Sequence, residues 1–178
     1  KTSGSVSVDT GALSTSLVGR AMIVHGFDGG RIACAILSDG VDKALMASVF
    51  VPYFSYSGSL ATAGTVGPMT TSGTTQTFAY SLSGVDPACA SGAGTAGNSC
   101  GIHIHAGTTC IADAGGHYYT GAVTTDPWAS IAYTSDAGGK TSGSVSVDTG
   151  ALSTSLVGRA MIVHGFDGGR IACAILSD

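Results

Sequence analysis

An internal repeat constrains this chain more than any other feature of its sequence. Residues 1–39, KTSGSVSVDTGALSTSLVGRAMIVHGFDGGRIACAILSD, recur letter for letter as residues 140–178, so the repeat unit is 139 residues long. A unit of that length fits one ordinary domain with a single hydrophobic core. The chain therefore holds about one and a quarter units, and its fold has to be predicted per unit.

The repeat allows two closures of the domain. In the first, residues 40–178 fold as a complete repeat and residues 1–39 are the C-terminal strands of a preceding identical repeat. In the second, permuted closure, residues 1–139 form the domain instead. Either closure leaves a surplus segment with apolar faces and sheet edges exposed. We therefore expect neighbouring identical repeats or protomers, in a tandem array or filament, to bury that segment.

The repeat also explains the odd number of cysteines. Cys34 is the copy of Cys173, so one unit holds four cysteines and no CxxC pair. This pattern predicts two disulfides and a secreted, extracellular protein, with four buried free thiols as the alternative. Cys89 and Cys100 end a loop rich in Gly, Ala and Ser, and we predict that they pair.

The charge and hydropathy of the chain exclude two classes of partner. Seven Lys and Arg stand against eleven Asp and no Glu, for a net charge of −4. This balance provides no basic face for nucleic acid. No apolar run is long enough to span a bilayer, and no N-terminal signal peptide is visible.

Short alternating or apolar runs between Gly, Ser and Asp clusters predict strands, and no stretch has a helical period. About eight strands at short spacing predict an all-β fold, an antiparallel Greek-key sandwich or barrel. Pro52 places part of the first run at an edge or a bend. The predicted strands are residues 44–57, 74–83, 101–105, 128–134, 143–148, 158–164 and 170–176, with a further strand within 60–71.

Three of the five histidines fall in one short stretch, GIHIHAGTTCIADAGGHYY. His103 and His105 lie two residues apart on a predicted strand, which places both imidazoles on one face. His117 follows a Gly-Gly pair, and His164 ends the apolar strand RAMIVH. His25 is the repeat copy of His164.

Four imidazoles without a free thiolate or a clear carboxylate partner favour copper or zinc, and a flattened arrangement would favour copper(II). The alternative is a set of surface or core histidines whose ring nitrogens are hydrogen-bonded. Tyr118, Tyr119 and Trp128, which lie near the predicted site, are interpreted as packing residues.

The stretches GIHIHAGTTC, GGHYY and GRAMIVHGFDGGRIACAIL resemble the copper/zinc superoxide dismutase family, and most of all its copper-only repeat branch. The resemblance covers the chain from about residue 44 to its end and is strongest in the second half. It implies a Greek-key β scaffold and four copper ligands, which are His103, His105, His117 and His164. It also favours closure over residues 40–178, because that closure keeps the family's strand order.

The resemblance implies further roles for single residues. Arg170 would attract and orient the superoxide anion. His117 would take up a proton when copper is reduced and deliver a proton to the product peroxide. A disulfide between Cys110 and Cys173 is implied as well, or between Cys110 and Cys34 in the permuted closure. The implied reaction disproportionates superoxide to hydrogen peroxide and dioxygen.

Two departures from the two-metal enzymes accompany this resemblance. Those enzymes bridge copper and zinc through the ligand that matches His117, but no further histidine lies between His117 and Tyr133. Asp126 is interpreted as a turn residue or an acceptor for an imidazole N–H, and no zinc site is expected. Only residues 165–169 separate His164 from Arg170, so we expect the copper to be open to solvent.

Two functions are compatible with the sequence. The first is an extracellular copper-only superoxide dismutase repeat. The second is a structural extracellular fibre protein whose metal site is vestigial or structural.

Overall fold

The chain forms two compact units, Lys1–Val41 and Asp42–Asp178. The computed structural model describes residues 5–12, 17, 19–37 and 44–178, and each unit is described by itself. The boundary between the units falls two residues after the repeated segment ends at residue 39. The assignment of residues 1–39 to a preceding repeat stays a prediction.

The described part of the first unit contains one antiparallel hairpin, made of β1 (Ala21–His25) and β2 (Arg31–Ile36). Both strands are apolar at nearly every position, a pattern typical of strands buried on both faces. In this unit, however, every residue of β2 and all but one residue of β1 are exposed.

The second unit contains two four-stranded sheets, and the first of them holds the second copy of this hairpin. Its strand order is β3 (Val51–Pro52), β10 (Arg170–Ile175), β9 (Ala160–His164) and β7 (Ile102–His105). All neighbours are antiparallel. Pro52 lies on an edge strand, where its missing N–H costs no ladder hydrogen bond.

The second sheet has β6 (Thr75–Ser83) at its centre, paired with β4 (Ala63–Val66), β5 (Thr70–Ser72) and β8 (Lys140–Asp148). Alternate residues of β6 are buried, as the alternating sequence predicts for a sheet with one solvated face. Phe78 on β6 lies opposite Val145 on β8, and both side chains are buried.

The fold is all-β, as predicted, with strands in antiparallel sheets and two short 3-10 turns, Pro87–Ser91 and Ser153–Ser155, in the second unit. The main hydrophobic cluster takes side chains from both sheets, while a second cluster packs on the other side of β9. Met161 and Val163 belong to the first cluster, and Ala160 and Ile162 to the second. This explains why β9 is apolar at successive positions.

One predicted strand is wrong, and another is present only in part. Residues 127–130 form a turn, and the region 128–134 contributes only an isolated bridge between Ala132 and Gly101. The turn forms because the Asp126 carboxylate accepts the backbone N–H of Trp128 at 2.9 Å. Of residues 44–57, only Val51–Pro52 form a strand, with isolated bridges at Met46 and Ala47.

Two disulfides are present in the second unit, as the cysteine count predicts. Cys89 pairs with Cys100, and Cys110 pairs with Cys173. Cys34, the copy of Cys173, is an exposed free thiol in the first unit. The second disulfide attaches the loop after β7 to the middle of β10. Among the described residues, no helix has the length and apolar character needed to cross a membrane.

The two copies of one methionine provide a matched test of which hairpin closes the domain. Met161 is fully buried, whereas its copy Met22 is 52% exposed. We expect Met161→Ala to lower the free energy of unfolding by about 2–5 kcal/mol and Met22→Ala to change it by no more than about 0.5 kcal/mol. Denaturant unfolding of both variants measures this, and equal losses would contradict the closure described here.

Candidate metal centre

Strand pairing brings the predicted histidines together. β7 lies beside β9, with His103 opposite Ile162, and His103 and His105 follow the two-residue period of the strand. His164 ends β9, and its backbone N–H donates to Gly101 O at 2.8 Å. His117 forms an isolated antiparallel bridge with His105.

The four side chains form one compact cluster, which we call the imidazole cluster. One ring nitrogen from each of His103, His105, His117 and His164 lies within 4.8 Å of the other three. His103, His105 and His164 are buried, and the side chain of His117 is 7% exposed. His25 lies in the first unit, is exposed, and belongs to no such group among the described residues.

The outward nitrogen of each ring is fixed by a hydrogen bond. In three rings the outward N–H donates to a backbone carbonyl: His103 Nε2 to Ile131 O at 2.7 Å, His105 Nδ1 to Gly115 O at 3.0 Å, and His164 Nδ1 to Gly168 O at 2.9 Å. Because a neutral imidazole has only one N–H, these acceptors assign the tautomers. The inward nitrogen of each ring therefore presents a lone pair.

The fourth ring, His117, uses a carboxylate instead. Its Nδ1–H donates to Asp126 Oδ2 at 2.7 Å, while Asp126 Oδ1 accepts the N–H of Trp128. Asp126 is thus both a turn residue and an imidazole acceptor, the two roles interpreted from the sequence. Such a carboxylate fixes the tautomer and the orientation of the ring.

The inward lone pairs have no protein partner that satisfies them. His103 Nδ1 and His117 Nε2 are buried without any hydrogen bond. The Nε2 atoms of His105 and His164 lie only 3.3 Å apart, and in the assigned tautomers both are acceptors. Buried polar atoms without partners are costly, and a metal ion between the four rings would satisfy these lone pairs.

The arrangement of the rings is flattened. Their centroids are 4.4 to 5.5 Å apart along four sides, in the order His103, His117, His105, His164. The two remaining separations, His103–His105 and His117–His164, are 6.4 and 6.3 Å. A regular tetrahedron would make all six separations equal, whereas a square lengthens two of them.

Burial keeps three of these imidazoles neutral. Desolvation, assisted for His103 by the nearby His164 ring, lowers the pKa of His103 to about 2. Desolvation also lowers the pKa of His105 to about 3 and that of His164 to about 4, and the Arg170 charge acts in the same direction on both. Neutral imidazole is the form that binds metal ions.

Arg170 lies at the edge of the imidazole cluster, held by three acceptors. Its guanidinium donates to the Tyr53 hydroxyl and to Asp113 Oδ1, both at 2.6 Å, and to Gly115 O. The Gly115 carbonyl also accepts the His105 N–H, so a single carbonyl connects the cation to the cluster. The Gly115 N–H, the Tyr53 hydroxyl and Arg170 hold the pKa of Asp113 below its usual value.

A surface depression leads to the cluster. It is lined by His105, His117, Asp126 and Arg170, together with Asn98 and Gly116. The turn between His164 and Arg170 is short, with Gly168 at a φ of +80°, a conformation that glycine adopts without strain. The carbonyl of this glycine accepts the His164 N–H.

The aromatic residues near the site pack in the hydrophobic core or against it. Trp128 is fully buried, and its indole N–H donates to Tyr118 O at 2.9 Å. Its ring centroid is 5.9 Å from that of His103. Tyr118 and Tyr119 pack against the main hydrophobic cluster, and the Arg159 guanidinium lies 3.8 Å from the Tyr118 ring centroid.

Sequence reasoning missed two side chains of the site. Tyr53 and Asp113 bind Arg170, yet each lies more than 50 residues from it in the chain. No local motif distinguishes them from other Tyr and Asp residues.

Comparison with protein-family models and with curated proteins gave no match for this chain.

We expect the metal-free protein to lose stability as the pH falls. The unfolded histidines titrate near 6.5, above the folded pKa values of His103, His105 and His164. As the pH falls from about 6.5 to 4 the unfolded state therefore binds more protons. Stability is full above about pH 6.5 and decreases as the pH falls through this window, by roughly 1.4 kcal/mol per pH unit for each imidazole.

Denaturant unfolding of metal-free protein between pH 7.5 and 4 measures this slope. His103→Gln should reduce the slope by about one third, because one of three contributing groups is removed. An unfolding free energy that stays constant across this range would contradict the neutral, buried state of the cluster.

Proposed function

We propose that the second unit binds copper through the imidazole cluster and disproportionates superoxide to hydrogen peroxide and dioxygen. The observation that carries this proposal is the convergence of four lone pairs, each fixed by an outward hydrogen bond, on one buried point. In this reading the chain is a copper-only relative of the copper/zinc superoxide dismutases, with their Greek-key β-sandwich scaffold and tandem repeats.

The donor set and its shape support copper. Imidazole nitrogen suits both copper and zinc, but zinc in protein sites is almost always tetrahedral, whereas copper(II) prefers flattened geometries. The two long diagonals of the ring arrangement favour the flattened case. When bound, copper would supply the one-electron oxidation and reduction that zinc does not.

The surroundings of His117 support a single metal. In the two-metal enzymes the matching ring bridges copper and zinc through both nitrogens. Here Nδ1 of His117 is occupied by Asp126 at 2.7 Å, which leaves Nε2 alone for a metal. The proposal therefore includes no zinc.

The residues at the depression support a small anionic substrate. Arg170 places a positive charge beside His105 and His117 at the opening, where such a charge attracts and orients an anion. Two superoxide anions and two protons yield one hydrogen peroxide and one dioxygen. By its resemblance to the superoxide dismutases, His117 would pass a proton to the reduced product through Nε2.

Localisation and partners complete the proposal. Two disulfides are compatible with an extracellular, secreted protein. The partners proposed are superoxide and neighbouring identical repeats or protomers in a tandem array or filament. No nucleic acid partner is proposed, because the net charge is −4.

A second function is favoured by one observation, the exposed apolar hairpin of the first unit. Such a hairpin suits a structural extracellular fibre, in which the metal site is vestigial or structural. Metal analysis separates the two functions. Protein with about one copper and little zinc per imidazole cluster would support the enzyme, and native protein without copper would favour the fibre.

The two histidine copies allow a matched test of metal binding. We expect His164→Ala to weaken copper binding by about tenfold or more, because one of four ligands is lost, and His25→Ala to leave it unchanged. Copper content by mass spectrometry and nitrogen hyperfine structure in the electron paramagnetic resonance spectrum measure this. Equal copper content in both variants would contradict the ligand set.

The two arginine copies test the anion site. Arg170→Ala should lower kcat/KM for superoxide by about tenfold and weaken its ionic-strength dependence, since a steering charge is lost. Arg31→Ala, in the exposed copy, should leave both properties unchanged. Superoxide decay after pulse radiolysis at low and high salt measures the effect. Copper-loaded wild-type protein that fails to consume superoxide would instead point to a structural metal site.

A further inference from the structure

The two copies of the hairpin have the same internal structure. In β1–β2, Ile23 pairs with Cys34, and in β9–β10, Ile162 pairs with Cys173, which is the same register. The irregularity of the ladder near the histidine is also shared. His25 Nδ1–H donates to Gly29 O at 2.8 Å, as His164 Nδ1–H does to Gly168 O at 2.9 Å. The first hairpin is therefore already shaped like the second.

The surroundings of the two copies differ. Val24 and Ile32 are 51% and 69% exposed, whereas their copies Val163 and Ile171 are 0% and 4% exposed. In the first unit only two strands pair, so among the described residues both outer edges of the hairpin stay open. In the second unit both edges are paired, to β7 and to β3. An open apolar hairpin with two free edges is a template for pairing.

The second unit shows which surface this hairpin sequence fits. We call residues 44–139 the body. The body offers β7 to one edge of β9–β10, β3 to the other edge, apolar clusters to both faces, and Cys110 to the central cysteine. Because the sequences are identical, every one of these contacts is available to β1–β2.

We propose that the β1–β2 hairpin is a docking element for the body of a second copy of this chain. There it takes the place of β9–β10, presents Cys34 to Cys110, and brings His25 and Arg31 to the positions of His164 and Arg170. The body of its own chain is already occupied by β9–β10, which Cys110–Cys173 holds in place. The partner assigned is therefore a second copy whose closing hairpin is released.

This inference goes beyond the proposed function in one respect, since the docked His25 would complete an imidazole cluster shared by two chains. The docking itself needs no metal. A cross-linking test in metal-free buffer therefore keeps its failure separate from a failure of the copper proposal.

Two full-length variants test the docking. An acceptor chain with Cys34→Ser and Cys173→Ser keeps Cys110, and a donor chain with Cys110→Ser and Cys173→Ser keeps Cys34. Neither chain can form the cross-link by itself. After mixing in a glutathione redox buffer, we expect the disulfide-linked heterodimer to exceed the two homodimers taken together, which is more than random pairing gives. Trypsin should release residues 32–43 joined to residues 44–140, a pair distinct from any that contains residues 171–178.

Two further substitutions in the donor provide a matched control. Val24→Asp places a charge at a position whose repeat copy, Val163, is fully buried in the second unit. This variant should lower the heterodimer yield by about tenfold. Phe27→Asp makes the same kind of change where the copy Phe166 is 40% exposed, and should leave the yield within about twofold. Heterodimer and homodimers in random proportions, or equal yields from these two donors, would overturn the proposal.

A measurement on the wild-type chain removes any dependence on the folding of the variants. After reduction and reoxidation at increasing protein concentration, the dimer fraction from size exclusion should contain residues 32–43 joined to residues 44–140. Absence of this peptide pair at every concentration would overturn the proposal. Its presence only in the monomer fraction would overturn the assignment of a second copy as the partner.

Discussion

Four hydrogen bonds outside the imidazole cluster determine what the cluster can do. Three carbonyls and the Asp126 carboxylate accept the outward N–H groups. Because a neutral imidazole has only one N–H, the inward nitrogen of each ring carries a lone pair. Burial then removes water as an alternative partner and keeps His103, His105 and His164 neutral. The β scaffold serves this geometry because the β7–β9 ladder places three of the four rings on adjacent strands. Without the outer acceptors, the same four histidines could rotate or change tautomer, and their lone pairs would no longer be directed at one point.

The sequence predicted much of this site because its chemistry is local. The two-residue spacing of His103 and His105 fixes their common face, and burial of the strand follows from its apolar neighbours. The all-β class follows in the same way from alternation, seen most clearly in β6. What the sequence could not predict depends on long-range contacts. Tyr53 and Asp113 reach Arg170 only after the chain has folded, and residues 128–134 resemble a strand although a side-chain acceptor makes them turn.

Because of the repeat, the same hairpin sequence can be compared in two different surroundings within one chain. One hairpin sequence has the same register in both units, yet it is exposed in one and buried in the other. Local pairing therefore suffices for the shape of the hairpin, while the body determines its burial. The same comparison shows that an apolar strand is buried only when a partner surface covers it, so the sequence pattern by itself does not predict burial. Residues such as Met22 and Met161 differ in surroundings and in nothing else.

The position of β9–β10 in the sheet has a consequence for how the protein is made. This closing hairpin lies between β3 and β7 and contributes His164 and Cys173, but it follows the whole body in the chain and leaves the ribosome after it. During synthesis the body is present with three imidazoles and an unpaired Cys110 thiol before the fourth ring arrives. In the closure described here, closure of the sheet, formation of the Cys110–Cys173 disulfide and completion of the imidazole cluster therefore all wait for one segment, the β9–β10 hairpin.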